Sequence, residues 1–371
     1  MKFTIDRASL LRSLNHVQSA VEKRNTIPIL GNVLIRAEEG LLSLSTTDMD
    51  MGINESVAAT VAVSGATTAP AGTLFDIVKK LPDDNDVEIA LNENGNQISV
   101  KSGRSNFKLS CLPVADFPEL NAGDMPHNFS IPANDLRALI DRTRFAMSTE
   151  ETRYYLNGIY VHAAENEGVK VLRAVATDGH RLAQFEMPLP EAAQDMPGII
   201  IPRKAIAELR KLVDEAGDSI QISVSESKAR FTFDHIILTT KLVDGTFPDY
   251  QRVIPKGNDK IVEINPKAFS SAIDRVSTIS DGKSRAVKIT LEGKNMTLSA
   301  NSPEAGSATE DLEINGNDNM EIGFNARYLM DITSQLEGDG CQMILADPAS
   351  PTIIKDMGDA SSLFVLMPLR V

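Results

Sequence analysis

The residues most able to do covalent chemistry are Asp178 and His180, in the segment Ala176–Ala183, ATDGHRLA. A carboxylate beside an imidazole suggests a hydrolytic dyad, but a nucleophile and a third orienting group are also needed, and the sequence nominates neither. Thr47-Asp48 follows an equivalent strand pair near the N-terminus, so Thr177-Asp178 also reads as a repeated turn. Gly282-Lys283-Ser284 ends like a phosphate-binding loop, yet Ser277 stands where that motif requires its first glycine, which excludes nucleotide binding of that kind. The five histidines (16, 127, 162, 180 and 235) show no metal-ligand spacing with one another or with Cys111 and Cys341. No metal and no cofactor is expected. Free thiols in a reducing cytoplasm are the expected state of the two cysteines.

The basic residues carry the second candidate chemistry. The chain has 371 residues and a formal net charge of −14, which taken as a whole argues against nucleic acid. Yet its cations fall on helical patterns: Arg12 and His16, then Lys23-Arg24; Lys79-Lys80; Arg137 and Arg144 with Asp141 between; Arg203-Lys204 and Arg210-Lys211; Lys267 and Arg275. Acids gather in turns, as at Asp83-Asp84, Glu165, Glu167 and Glu310-Asp311. A basic helical surface within an acidic rim would neutralise phosphates without reading bases; the plainer alternative is a set of solvated helix faces.

The elements that must position these residues repeat. Phe3–Val17, Phe129–Thr143 and Val262–Val276 each read as a short strand, a turn and an amphipathic helix. Aligned on Ile5, Ile131 and Ile264, they place Leu10, Leu136 and Phe269 at one offset and Leu14, Ile140 and Ile273 at the next, which is one helix face. A second helix recurs as Pro70–Leu81, Pro202–Val213 and Asn325–Leu336, with Leu74, Ile206 and Leu329 leading its apolar face. Hairpins lie between the helices, as Val33–Arg36 with Leu41–Ser45, Gly158–His162 with Val169–Ala174, and Val287–Leu291 with Met296–Ala300. Further strands follow each second helix, and the repeats close on Phe107–Leu112, Ile237–Leu242 and Phe364–Leu369. The prediction is an α+β chain of three tandem domains of one fold (1–126, 127–256 and 257–371), with helices on one face of antiparallel sheets. Three such domains make an arc that can close by symmetric association. MKFTIDR is no signal peptide, and no apolar run reaches the length of a membrane span, so a cytoplasmic location away from membranes is expected.

Several words along the chain carry a resemblance: PILGN at Pro28–Asn32, SGRS at Ser102–Ser105, RYYLNG at Arg153–Gly158, ATDGHRLA, the segment Lys241–Tyr250, MEIGFN at Met320–Asn325 and MPLR at Met367–Arg370. With these in order over its whole length, the sequence resembles the bacterial sliding clamps, the beta subunits of DNA polymerase III. The resemblance implies a DNA-clamp fold and a non-catalytic processivity factor. Its implied form is a head-to-tail homodimeric ring that encircles duplex DNA without sequence specificity. Its implied partners are the polymerase catalytic subunit, the clamp loader and other replication and repair proteins carrying short peptide motifs.

By position, the resemblance makes Arg24, Arg153, Tyr154 and Tyr155 DNA contacts. Gly72 and Glu150 stand where the family can carry Arg and Gln, so DNA contact is open to question there. It places a partner-peptide pocket between the second and third domains. The wall is Leu156, Thr177, Gly179, His180, Arg181, Leu182, Pro248, Arg252 and Val253, with Asn325, Tyr328, Val365, Leu366, Met367, Pro368, Leu369 and Arg370. Aliphatic residues ending a chain suit a groove for aliphatic and aromatic peptide anchors; alternatively, Phe364–Leu369 is a core strand. Phe107, Leu109 and Ile279 are the implied apolar dimer contacts, and Ser284 stands where the family can carry Phe at the edge of the joint. A peptide-binding scaffold without DNA, or a hydrolase built on the His180 loop, are the other classes the residues allow.

Overall fold

The computed structural model describes residues 1–22, 26–120, 123–280 and 285–370. Among the described residues six α-helices pair up: α1 (Arg7–Gln18) and α2 (Ala71–Lys80), α3 (Ala133–Thr143) and α4 (Arg203–Leu212), α5 (Pro266–Ser277) and α6 (Ala326–Thr333). Their starts are chemically marked. The Asp6 carboxylate accepts from Ser9 N at 2.8 Å to cap α1, and Asn265 Oδ1 accepts from Ala268 N at 2.9 Å to cap α5, with Pro266 in its first turn. The predicted apolar faces are buried: Leu10, Leu14, Leu136, Ile140, Phe269 and Ile273 are each at most 2% exposed.

The chain divides into two compact units. The first comprises Met1–Leu136, Pro190–Met196 and Lys204–Leu242; the second comprises Arg137–Leu189, Pro197–Arg203 and Val243–Val371. Within the first, a five-stranded antiparallel sheet ends on the edge strand Ser105–Ser110. An eight-stranded sheet joins Met51–Ala58 to Ile236–Lys241, with Ile53 opposite Leu238 and Glu55 opposite Ile236. The second unit repeats the plan. Its eight-stranded sheet joins Arg181–Pro188 to Ser362–Leu366, with Leu182 opposite Val365, and its four-stranded sheet ends on Gly306–Glu313. In each unit a backbone ladder thus couples strands from consecutive repeats.

Three strands, one in each repeat, lie outside the hairpins read from the sequence. Met51–Ala58, Arg181–Pro188 and Gly306–Glu313 extend each hairpin into a meander. Gly65–Pro70 is built of Gly, Ala, Thr and Pro, and takes its place from pairing with Asn32–Glu38 rather than from apolar periodicity. The final strand is shorter than predicted, Ser362–Leu366 in place of Phe364–Leu369. Beyond it, Met367 N donates to His180 O (2.9 Å) and Leu369 N to Gly323 O (2.7 Å), while Pro368 between them has no N–H to offer a ladder. Gly158 of the RYYLNG word is required sterically: a Cβ there would collide with the Ile201 carbonyl oxygen of the paired strand.

Among the described residues no helix is long and apolar enough to cross a membrane. Both cysteines are free thiols, and burial pushes Cys341 up to about 12.

Candidate functional site

The turn at residues 177–181 builds one side of the predicted pocket, and it is the repeated feature the sequence suggested. Thr177 Oγ1 donates to Arg181 O (2.7 Å) and accepts from Gly179 N (3.1 Å), while Asp178 Oδ1 accepts from His180 N and Arg181 N. Thr47 and Asp48 make the same set to Met49, Asp50 and Met51. The shared left-handed position is Met49 (φ 79°) in one copy and Gly179 (φ 88°) in the other. Glycine holds this conformation without strain at the second, where a Cβ would stand 2.8 Å from Arg153 Nη1 and displace the end of that side chain. Asp178 is therefore committed to backbone amides and to Arg181 Nε (3.2 Å), and His180 is exposed and stacked on Tyr328 at 6.2 Å between centroids. This arrangement assembles no hydrolytic triad.

Arg181 was predicted as a pocket wall; the structure makes it the post behind that wall. It is 8% exposed, bonds Asp178, Asp331 and the Phe145 carbonyl, and lies between the Tyr328 ring (4.3 Å) and the Phe145 ring (5.1 Å). Asn325 is likewise committed, its side-chain oxygen capping α6 through Arg327 N and Tyr328 N. Burial, then the nearby Asp178 charge, raises the Tyr328 phenol above its ordinary range, so it remains a hydrogen-bond donor.

The other predicted wall residues divide by burial. Leu156, Leu182 and Val365 belong to one core cluster with Val175, Ile200, Phe247 and Tyr250. Leu366 is 0% exposed and Thr177 is buried, so neither offers surface. Gly179, His180, Pro248, Arg252, Val253, Met367 and Arg370 are exposed, and Pro368 and Leu369 are half-buried. The surface is thus the outer row of side chains over a packed floor. Arg252 is held by Asp249 at 2.8 Å.

Under this surface lies a polar chain that sequence reasoning missed. His162 Nε2 is 2.9 Å from the Tyr250 hydroxyl, which accepts from Arg173 Nη1 at 3.0 Å, and Arg173 is paired with Glu186 at 2.6 Å. Tyr160 stacks between His162 (4.7 Å) and Phe247 (4.9 Å). The available signal was register: His162 and Arg173 stand opposite each other on a recognisable hairpin.

Of the candidate DNA contacts, Arg24 lies outside the described residues, as does Ser284 at the joint. Tyr154 is 53% exposed and meets the half-buried Tyr155 edge-on at 5.7 Å. Arg153 Nε is 3.1 Å from Glu150, so the acid at the position where DNA contact was in question holds a candidate DNA-contacting cation. Gly72 is exposed with open space around its Cα. The separation of basic helices from acidic turns needs correction. Arg144 pairs with Asp141, Lys211 with Glu208, Arg210 with Asp214, Lys204 with Glu22 and Asp48, and Arg275 with Glu310. His16, expected on the polar face of α1, is buried at 6% exposure against Glu55. Arg12, Lys79, Lys80 and Lys267 remain exposed on their helices.

At the predicted joint, Phe107 is 38% exposed on the edge strand Ser105–Ser110, with Leu109 half-buried beside it. Ile279 is half-buried just past α5.

Comparison with known proteins covers the whole chain. Residues 1–121, 130–249 and 251–370 match, in order, the families described as DNA polymerase III beta subunit N-terminal, central and C-terminal domains. A beta sliding clamp of Caulobacter vibrioides is 50% identical over 372 residues, covering 100% of both chains, and that of Escherichia coli K12 is 39% identical over 378 residues. The crystal structure of a DNA polymerase sliding clamp from Caulobacter crescentus superposes with a TM-score of 0.95 at 50% identity. That of a sliding clamp from Bartonella birtlesii bound to griselimycin does so with a TM-score of 0.97 at 49% identity, again over 100% of both chains. Three tandem repeats, the shared turns and these full-length matches make the chain a member of the DNA polymerase III beta-subunit family, the beta sliding clamps.

Proposed function

We propose that this processivity factor works as a head-to-tail homodimeric ring around duplex DNA, and that domains bounded near residues 126 and 256 contribute in distinct ways. The edge strand Ser105–Ser110 of one chain, bearing Phe107 and Lys108, pairs with the acidic edge Gly306–Glu313 of the other, with Ile279 and Leu109 packing at the seam. Arg24, Arg153, Tyr154 and Tyr155 face the DNA, together with the exposed cations of the helices. Because many helix cations are already paired, the hold on phosphate is weak, which suits a ring that must slide. Retention is topological.

The second activity is capture of short peptide segments of the polymerase catalytic subunit, the clamp loader and other replication and repair proteins. They dock along His180, Pro248, Arg252, Val253 and Met367, over the floor of Leu156, Leu182 and Val365. One observation carries this reading. Of the eleven exposed large apolar side chains among the described residues, four, Phe107, Tyr154, Val253 and Met367, fall at an inferred joint, DNA or peptide contact, and Val253 and Met367 both stand in the proposed groove. Griselimycin, bound by the Bartonella birtlesii clamp, is proposed to occupy this groove here.

The test is retention on nicked circular DNA after loading by a clamp loader. A ring stays bound in high salt and is lost once the circle is cut; equal retention on circular and linear DNA would refute encirclement.

A further inference from the structure

We propose that Tyr250 is a positioning residue of the groove: its hydroxyl, held between Arg173 and His162, fixes where Pro248, Arg252 and Val253 stand. The inference rests on the groove reading above. Residues 247–253 alternate sharply in burial. Phe247 (8%) and Tyr250 (5%) enter the core cluster that floors the groove, while Pro248, Asp249, Arg252 and Val253 stay exposed. A single 3-10 turn, Tyr250–Arg252, connects anchor to surface, with Val253 N donating to Tyr250 O at 3.1 Å. So short a segment has little internal stiffness. Its placement depends on its two aromatic anchors, and only Tyr250 has a directional one.

The direction of that anchor follows from the partners. His162 Nδ1 is 2.8 Å from the Ala163 carbonyl, which can only accept, so Nδ1 carries the hydrogen and Nε2 presents a lone pair. The Tyr250 O–H therefore donates to His162 and its oxygen accepts from Arg173. Every member of the chain has one role, and reversing one leaves a buried hydrogen without an acceptor.

Acid performs that reversal. The groups facing His162 are Tyr160 from its own strand, Arg173 from the next, Glu186 beyond it and Tyr250 from the linker. Burial, reinforced by the Arg173 charge, holds the imidazole below its ordinary range despite the opposing pull of Ala163 O and Glu186. Once protonated, Nε2 becomes a donor facing a donor, and a second cation is added beside Arg173. The anchor then weakens, and the exposed row over it loses its fixed position.

The experiment is griselimycin affinity of the full chain from about pH 7.5 downward, with the His162 imidazole followed by NMR on the same samples so that affinity is compared before and after it protonates. In the wild type, binding weakens as His162 protonates. Tyr250→Phe, which keeps the ring and removes only the hydroxyl, binds roughly threefold to tenfold more weakly at the starting pH and responds little to acid. Val253→Ala, which alters a contact and leaves the anchor intact, binds more weakly but keeps the wild-type pH profile. Wild-type affinity that stays flat through the protonation of His162 overturns the proposal, whether or not the variant folds. So does a Tyr250→Phe protein with wild-type affinity, or with an undiminished acid response. No griselimycin binding by the wild type at any of these pH values overturns the groove reading, and this inference with it.

Discussion

His16 Nδ1 lies 2.8 Å from Glu55 Oε2, with the two side chains 5% and 1% exposed. The pair links α1 to a strand whose other neighbour comes from the following repeat, since Glu55 stands opposite Ile236. Ser13 Oγ donates to the second Glu55 oxygen at 2.7 Å. Glu215 approaches His16 Nε2 to 3.1 Å, off the line of a good hydrogen bond, so that contact acts as charge more than as a directed bond.

This pair makes stability depend on pH. Burial alone would lower the His16 pKa; the bond to Glu55 and the charges of Glu55 and Glu215 outweigh it, and the folded value is raised. The contribution is therefore complete below the ordinary histidine value and is lost as pH rises through the raised one. Urea unfolding of the wild type is expected to show a higher midpoint on the acid side of this window than above it. His16→Leu should cost about 3 kcal/mol by removing the close imidazole from the buried Glu55, which keeps only Ser13 and a 3.6 Å contact to His235, and adding Glu55→Leu should restore part of that. An unchanged unfolding midpoint in the single variant would contradict this account.

Leu182 and Met367 separate floor from surface. Leu182 is 2% exposed and Met367 39%. Leu182→Ala is expected to destabilise the chain by about 2–4 kcal/mol, through the cavity it leaves. Met367→Ala should leave the melting temperature nearly unchanged and weaken griselimycin binding by roughly tenfold. Calorimetry and a fluorescence titration on the same two proteins decide; reversed effects would mean the burial pattern misidentifies the contact row.

Phe107→Asp places a charge on the exposed apolar residue of the edge strand. Native mass spectrometry is expected to move from a species near twice 40.2 kDa to one near 40.2 kDa, with an unchanged circular dichroism spectrum. A persistent dimer would exclude this edge from the joint.

Glu150→Gln frees Arg153 from its ion pair. Binding to a short duplex should tighten, with the salt slope steepening by about one as one more phosphate is neutralised. An unaltered slope would remove Arg153 from the DNA-facing set.

The helices were the most legible part of the fold, because Leu10 with Leu14, and their counterparts in the later repeats, obey a 3.6-residue period that packing then uses directly. Gly306–Glu313 was illegible, since an edge strand with one solvated face carries Glu and Asp where a core strand carries apolar residues. Within the site, the turn at Thr177-Asp178 could be read from its copy at Thr47-Asp48. The burial of His16 could not, because it depends on a carboxylate 39 residues away reaching the helix. Nor could the pairing of Arg153 with Glu150 be told from composition, which counts charges without saying which of them meet.

The ladder between Met51–Ala58 and Ile236–Lys241, and its counterpart between Arg181–Pro188 and Ser362–Leu366, has a mechanical consequence. Hinging at either seam would shear main-chain hydrogen bonds in concert, so neither is a natural place to yield. Compliance belongs instead at the proposed joint between chains, which no covalent connection crosses. In the ring proposed above, opened for loading and then closed, that separates the rigid spans from the gate.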